Sequence, residues 1–138
     1  MIKKFRGEYS WLSNFQKVKI EYLGEIYDSV EHAYISAKSD DEKWKLKCLR
    51  FDCVYLKRES QKLSKKKDWE VLKCGIMKEL LIKKFNQEPF RQKLIDTGDV
   101  YIQEGNNWND IYWGVCLKTN KGENILGKLI MEIRDVIK

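Results

Sequence analysis

The stretch VKIEYLGEIYDSVEHAYISAK, residues 18–38, predicts a β-hairpin that leads directly into a helix. Apolar and polar residues alternate from Val18 to Tyr22, which is the period of a half-buried strand. Gly24 then supplies a turn, and Glu25-Ile26-Tyr27 forms the returning strand. A small sheet and a helix therefore follow one another in the sequence, which indicates an α+β fold.

The helix after the hairpin is expected over residues 29–38. Asp28 precedes Glu31 by three residues, which is the spacing of a capping box at a helix start. A second box of the same spacing, Ser39 with Glu42, predicts another helix directly behind the first.

Most of the remaining chain is also predicted to be helical, from apolar spacing and from terminal residues. Further helices are expected over residues 54–63, from Asp68 to Phe85, from Pro89 to Gly98 and from Ile125 to Val136. The long helix carries an apolar stripe that is expected in the core: Trp69, Leu72, Ile76, Leu80 and Phe85. Alternation predicts a strand over 99–104, followed by a loop over 105–112. The prediction is an α+β fold, predominantly helical with a small β-sheet, in one compact domain of residues 1–138.

Composition places the chain among globular proteins. Hydrophobic residues make up 43% and charged residues 35% of 138 residues, which excludes a disordered chain. There are 27 Lys and Arg against 21 Asp and Glu, so the net charge is +6. This excess favours an anionic partner such as a nucleotide, a phosphosugar or a nucleic acid, although a solvated basic surface explains it equally well.

Cysteine and histidine usage argues against a metal centre. The four cysteines form no CxxC pair and His32 is the only histidine, so zinc-ligand spacing is absent. We expect no metal, no cofactor and buried free thiols in a reducing compartment. The chain has no apolar signal region and no run of eighteen apolar residues, so a cytoplasmic location without a membrane span is expected.

One candidate site lies on the helix predicted over 29–38. At 100° per residue, Glu31 and Lys38 lie within about 20° of one face, and Tyr34 lies between them. A carboxylate, an aromatic ring and an amine would thus line one stripe. The alternative, favoured by this feature taken alone, makes Glu31 a capping residue and Lys38 a solvated helix end. His32 points to another side and is expected to be a hydrogen-bonded core or shell residue rather than a base.

The second candidate site is the stretch EGNNWNDIYWG, residues 104–114. Asparagines and glycines are typical of turns, but two tryptophans in a loop are harder to explain that way. The indoles of Trp108 and Trp113 are suitable platforms for a base or a sugar. A glycine such as Gly114 would let the backbone approach a ligand closely.

Two weaker features leave alternatives open. Trp11 and Asn14 lie in the stretch WLSNF, residues 11–15, which fits a core-anchoring loop nearly as well as a nucleotide pocket. Asn124 precedes the last predicted helix, where it would cap the helix, or the helix N-terminus would hold a phosphate. Capping is the favoured interpretation.

Taken in order, these segments resemble the NADAR family, whose name refers to NAD and ADP-ribose. The resemblance is carried by residues that match the family's motifs in order along the chain. In the first half these are Phe5, 7–15, Gly24, Tyr27, 29–34 and Lys38. In the second half they are Trp69, Lys73, Met77, Lys84, Phe85, 104–106, Trp108, Asp110, 113–116, Gly122, Asn124, 126–127, Met131 and Arg134. Each match is weak alone, but the ordered set runs from Phe5 to Arg134. One departure is Ile35, where a glutamine is common in the family, and this departure leaves the substrate open.

The resemblance implies an N-glycosidase, an enzyme that hydrolyses C–N glycosidic bonds of ribosylated compounds. The implied substrates are ribosylaminopyrimidine phosphates of riboflavin synthesis, or ADP-ribose attached to guanine, whose removal from DNA would reverse a toxin's modification. The partner would thus be a small nucleotide or phosphosugar, or ADP-ribosylated DNA.

The matched motifs also imply roles for individual residues. Glu31 and Asp110 would be the catalytic carboxylates, and Lys38 would bind phosphate or form a Schiff base with an opened ribose. The residues expected to bind substrate are Trp11, Asn14, Tyr34, Asn106, Trp108, Trp113, Gly114 and Asn124.

Two other classes of function compete with the enzyme. A non-catalytic module could bind ADP-ribose or a related nucleotide, but it would gain nothing from a glutamate facing an anion. A nucleic-acid-binding domain could use a basic stretch consisting of Lys57, Arg58, Lys62 and 65–67. No recognisable nucleic-acid motif supports that class, so it ranks third.

Overall fold

Helices dominate the computed structural model, which describes all residues from 1 to 138. The order is a 3₁₀ helix (Gly7–Leu12), β1 (Ile20–Tyr22), β2 (Glu25–Tyr27), α1 (Val30–Ser36), α2 (Glu42–Arg50), α3 (Cys53–Ser60), α4 (Trp69–Phe85), α5 (Phe90–Asp96), β3 (Gly105–Asn106), β4 (Val115–Cys116) and α6 (Ile125–Ile137). The predicted class, α+β and predominantly helical with little sheet, is confirmed. None of these helices is both long and apolar enough to span a membrane.

The chain forms two compact units, which are described separately. The central unit comprises residues 14–84, and the terminal unit comprises 1–13 with 85–138. That the whole chain is one domain stays a prediction.

The central unit begins with the predicted hairpin. β1 and β2 pair antiparallel, with Ile20 opposite Tyr27. Ile20 and Tyr27 are both buried, so one face of the hairpin contributes to the core. Leu23 and Gly24 form the turn with φ values of 48° and 86°, the left-handed conformation that two-residue hairpin turns need and that glycine adopts readily.

Both predicted capping boxes are wrong by one or two residues. Ser29 caps α1, since its Oγ accepts a hydrogen bond from the N–H of His32 at 3.0 Å. Asp28 cannot take this position because its carbonyl accepts from the N–H of Val18, which extends the hairpin. Asp41 likewise caps α2, and Ser39 instead accepts from the N–H of Asp41.

The long helix α4 buries most of the predicted stripe, since Trp69, Leu80 and Phe85 are buried. Leu72 is exposed, whereas Met77, Leu80 and Lys84 are buried. The buried face of α4 therefore includes Met77 and Lys84, which lie on the same side of the helix as Trp69.

In the terminal unit, short parallel pairs replace the strand predicted over 99–104. β3 pairs with β4, and Ile102 forms only an isolated bridge to Ile2. The Ile2 backbone bonds to Tyr101 and Gln103, but other backbone groups of 99–104 are bonded by side chains. Arg134 donates to the Val100 carbonyl at 2.7 Å, and Asn124 donates to the Ile102 carbonyl at 2.9 Å. A longer ladder therefore does not form.

The terminal unit is closed by two helices at the expected places. Pro89 caps α5, and Gly98, with φ 64°, follows its end. α6 buries Leu129, Ile130 and Ile133, but Val136 at its end is exposed.

Candidate active site

Glu31 is a buried carboxylate near the start of α1. It is only 8% exposed, and its N–H donates to the Asn14 carbonyl at 3.0 Å. Because Ser29 caps the helix, Glu31 has no capping task, so its interpretation as a capping-box residue is wrong. Charged side chains are rarely buried unless they are paired or functional.

Lys38 lies just beyond the end of α1, close enough to Glu31 for their charges to interact. Its Nζ is 5.5 Å from the centroid of the Tyr34 ring. Burial lowers the pKa of Lys38, and the neighbouring Glu31 carboxylate raises it in part. Because burial dominates, the amine loses its proton more easily than an ordinary lysine does.

Tyr34 and Asn14 complete the cluster around α1. The buried Tyr34 ring packs against Trp69, with 5.2 Å between ring centroids. The buried Asn14 amide donates from Nδ2 to the Met77 sulfur at 3.6 Å, but its Oδ1 has no hydrogen-bond donor. An unpaired buried acceptor is uncommon and is typical of sites that bind a ligand or a water. The structure thus brings Asn14, Glu31, Tyr34 and Lys38 together in the central unit.

Lys57 on α3 also belongs to this cluster, and the sequence reasoning missed it. Its Nζ lies 3.9 Å from Glu31 Oε1 and 5.4 Å from the centroid of the Phe15 ring. The sequence placed Lys57 in a basic nucleic-acid-binding stretch. No local pattern indicates its pairing with Glu31, because the two residues lie on different helices.

The rest of that basic stretch is partly neutralised. Lys62 Nζ contacts Glu59 Oε2 at 3.0 Å, and Lys66 Nζ contacts Asp40 Oδ1 at 3.3 Å. These ion pairs weaken the case for a continuous phosphate-binding surface.

His32 is a hydrogen-bonded shell residue, as predicted. Its Nδ1 lies 2.7 Å from Ser29 Oγ and its Nε2 lies 3.0 Å from the Phe51 carbonyl oxygen. The Cys53 sulfur is 3.3 Å from Nδ1. Both ring nitrogens are therefore occupied, and His32 holds the start of α1 against the start of α3.

The thiols and carboxylates form no metal site. All four cysteines are free, and three of them, Cys48, Cys53 and Cys116, are buried. Burial raises the pKa of Cys48 to about 12 and that of Cys53 to about 11, so both are protonated at neutral pH. No group of three His, Cys, Asp or Glu residues is arranged to hold a metal ion.

The loop of residues 104–114 lies in the terminal unit and is organised by Asn106. The Asn106 Nδ2 donates to Glu104 Oε2 at 3.1 Å and to the Asp110 carbonyl at 2.9 Å. Its Oδ1 accepts from the N–H groups of Trp108 at 3.3 Å and Asp110 at 3.0 Å. All hydrogen-bonding atoms of this buried amide are thus used within the loop, so that contact with a ribose or a pyrophosphate stays a prediction.

Asp110 orients the aromatic end of the same loop. Its Oδ1 accepts from the N–H groups of Tyr112 at 3.2 Å and Trp113 at 3.0 Å. The rings of Tyr112 and Trp113 meet edge to face, 4.8 Å apart. Trp108 is 57% exposed. One carboxylate oxygen of Asp110 is therefore engaged in loop structure, and its catalytic role stays a prediction.

The backbone at Gly114 does make a close approach, but to another residue of the protein. A Cβ at this position would overlap the carboxylate and the carbonyl oxygen of Glu104. Gly114 therefore packs against Glu104, and this contact occupies the space where a ligand was expected to approach its backbone.

Two further expected site residues have structural roles. Asn124 has a left-handed backbone and makes no side-chain cap, so the capping prediction is wrong. Its side chain instead accepts from the N–H of Glu104 at 2.9 Å and donates to Tyr101 and Ile102. Trp11 is buried in the 3₁₀ helix, 5.9 Å from Lys93 Nζ, as expected for a core-anchoring loop.

Comparison with known proteins agrees with this picture. The NADAR domain family model matches residues 2–138. The chain is 30% identical to N-glycosidase Npun_R5314 of Nostoc punctiforme over 137 residues, covering 94% of this chain and 86% of the relative. It is 33% identical to N-glycosidase YbiA of Escherichia coli over 132 residues, covering 93% and 81%. The NMR structure of E. coli YbiA matches with a TM-score of 0.84 at 30% identity, covering 99% and 86% of the two chains. The chain therefore belongs to the NADAR family of N-glycosidases.

Proposed function

We propose that this N-glycosidase cleaves the C–N bond between ribose and a nitrogen base in a phosphorylated ribosyl compound. The candidates are ribosylaminopyrimidine phosphates of riboflavin synthesis and ADP-ribose attached to guanine. The observation that carries the proposal is the buried Glu31 carboxylate, which has Lys38 and Lys57 beside it.

The chemistry of the bond explains why a buried carboxylate is useful. Cleavage builds positive charge on the ribose C1 and ring oxygen, and a nearby anion stabilises that charge. Stabilisation is stronger where water is excluded, and Glu31 is only 8% exposed. Glu31 would lie at the reacting carbon and Tyr34 against the substrate ring.

Lys38 is assigned the role of amine nucleophile rather than that of phosphate ligand. Burial lowers its pKa, which raises the fraction of neutral amine. In this step the Nζ lone pair bonds to C1, and the base leaves with the electrons of the C1–N bond and takes one of the two Nζ protons. The ribose ring then opens: the C1–O4′ bond breaks, O4′ takes the second Nζ proton, and a C1=Nζ double bond forms. Water then adds to the resulting Schiff base and releases the sugar.

The remaining predicted residues keep supporting roles. Asn14 offers its unpaired Oδ1 to a hydroxyl group or a water. For Trp108 and Trp113, stacking on a base stays a prediction from the sequence. Asp110 sets the backbone of Trp113 through its Oδ1.

The test is a mass-spectrometric hydrolysis assay with a ribosylaminopyrimidine 5′-phosphate and with ADP-ribosylated guanine in a DNA strand. Wild type should release ribose phosphate or ADP-ribose, and the cleaved compound names the substrate class. Glu31→Gln should lower the rate about a hundredfold or more, because the charge opposite the transition state is lost.

Glu42→Gln is the matched control, since Glu42 is an exposed acid in the first turn of α2. It should keep the full rate, and both variants should lose no more than about 1 kcal/mol of unfolding free energy. Full activity of Glu31→Gln, or cleavage of neither compound by wild type, would contradict the proposal.

A further inference from the structure

The Lys57 ammonium group is held in place but makes no hydrogen bond. Its distance of 3.9 Å to Glu31 Oε1 is too long for one, and its contact with the Phe15 ring, at 5.4 Å, is a cation–π contact. All three N–H donors of the ammonium group are therefore unused by the protein.

The group is also accessible, and its helix is anchored. The Lys57 side chain is 48% exposed, whereas the Glu31 side chain beside it is 10% exposed. Cys53, Leu56 and Ser60 bury the other face of α3. A lysine usually loses rotamer entropy when it binds a ligand, and the two contacts at Nζ reduce that cost here.

We propose that Lys57 recognises a phosphate group of the substrate and holds it beside the Glu31 carboxylate. This inference rests on the proposed function and names the residue that selects phosphorylated substrates. A phosphate oxygen accepts the hydrogen bonds that Lys57 has free, and such charge-assisted bonds are among the stronger ones in proteins.

Electrostatics supports the assignment. A phosphate next to a lone carboxylate would be repelled, and the Lys57 charge between them offsets that repulsion. Lys38 then does not need to bind the phosphate, so its amine stays available to react with the ribose.

The test compares Lys57→Met, which keeps the apolar stem, with Lys57→Arg, which keeps the charge. Each is assayed on a ribosylaminopyrimidine 5′-phosphate and on the same compound after removal of its phosphate. Lys57→Met should lower kcat/KM at least about tenfold on the phosphorylated compound, mainly through KM, and less than about threefold on the other. Lys57→Arg should restore most of the loss.

Lys62→Met is the matched control, since Lys62 is exposed and paired with Glu59. It should leave kcat/KM unchanged on both compounds. An equal loss on both compounds would overturn the proposal, because Lys57 would then act only through Glu31. No loss on either would overturn it as well.

A binding measurement separates this inference from the proposed function. Ribose 5-phosphate and ribose are titrated calorimetrically into wild type and Lys57→Met. Binding of ribose 5-phosphate that weakens at least about tenfold in Lys57→Met supports the inference even if no substrate is cleaved. Equal affinity in both proteins overturns it even if hydrolysis is observed.

The same titration identifies the source of the phosphate. Competition by an unmodified DNA strand would assign Lys57 to a backbone phosphate of a DNA substrate. Absence of competition would assign it to the phosphate carried by the sugar itself.

Discussion

At the residue scale, Lys38 shows how burial and a neighbouring negative charge shift the pKa of one amine in opposite directions. Burial penalises the ammonium form, and the Glu31 carboxylate favours it. Three neighbouring lysines, Lys65, Lys57 and Lys73, add to the lowering of the Lys38 pKa. A site that needs both an anion and a neutral amine can therefore hold them close together.

This balance predicts opposite shifts in two variants. The amount of borohydride-trapped adduct between Lys38 and ribose 5-phosphate should rise with pH, with a midpoint below the ~10.4 of a free lysine. Glu31→Gln should move the midpoint lower, because it removes a charge that raises the pKa of Lys38. Lys57→Met should move it higher, because it removes a charge that lowers this pKa.

Peptide mapping by mass spectrometry provides the internal control, since adducts at exposed lysines should not depend on Glu31. A midpoint that rises in Glu31→Gln would contradict the assigned electrostatics. Absence of any adduct at Lys38 would contradict the nucleophile role.

At the element scale, the loop of residues 104–114 depends on one close contact. The parallel pair β3–β4 holds Gly105 opposite Val115, and Gly114 packs against Glu104. The Asn106 side chain bridges Glu104 and Asp110 within the same loop. The loop backbone is therefore specified by side-chain bonds rather than by a longer sheet.

Gly114→Ala should destabilise the protein by at least about 1–3 kcal/mol, because the new methyl group overlaps Glu104. Urea unfolding measures the change. Gly75→Ala is the control, since a Cβ there meets nothing within 4 Å in the middle of α4. It should stabilise the protein by about 0.5–1 kcal/mol. Unchanged stability of Gly114→Ala would show that the loop accommodates the methyl group.

At the scale of the whole molecule, a buried lysine couples folding to pH. Lys84 is fully buried on α4, together with Leu80 and Leu81. Burial lowers the pKa of Lys84 to about 7. Because an unfolded lysine titrates near ~10.4, the unfolded chain binds one proton more than the folded chain above pH 7.

Stability should therefore rise with pH from about 7 to about 8.5, by at most ~1.4 kcal/mol per pH unit from this group. Above that range the buried thiols of Cys48 and Cys53 act in the opposite sense, because ionisation of cysteine favours the unfolded chain. Urea unfolding at several pH values measures the slope.

Lys84→Met should flatten the slope and should be more stable than wild type at pH 6, where the charged lysine costs most. Lys43→Met, at an exposed position of α2, should keep the wild-type slope. A wild-type slope that persists in Lys84→Met would show that other groups cause the pH dependence.

Several features of the fold follow from local sequence. The hairpin, the helices and the shell role of His32 were predicted because alternation and helical spacing act between near neighbours. The helix caps were missed because Ser29 and Asp28 are both good capping residues, and the hairpin decides between them. The strand expected over 99–104 does not form as a continuous strand, and Arg134, far along the chain, binds one of its carbonyl groups.

The sequence by itself determined the fold class, the hairpin and the order of the helices, the family and the stripe of Glu31, Tyr34 and Lys38. Periodicity and ordered motifs depend on residues that are near one another in the sequence, so the sequence alone shows them. Only the tertiary structure decided that Lys57 lies beside Glu31, that Glu31 has no capping task and that Lys84 is buried. The reason is that burial and ion pairing depend on which helices pack together, and no local spacing encodes that packing.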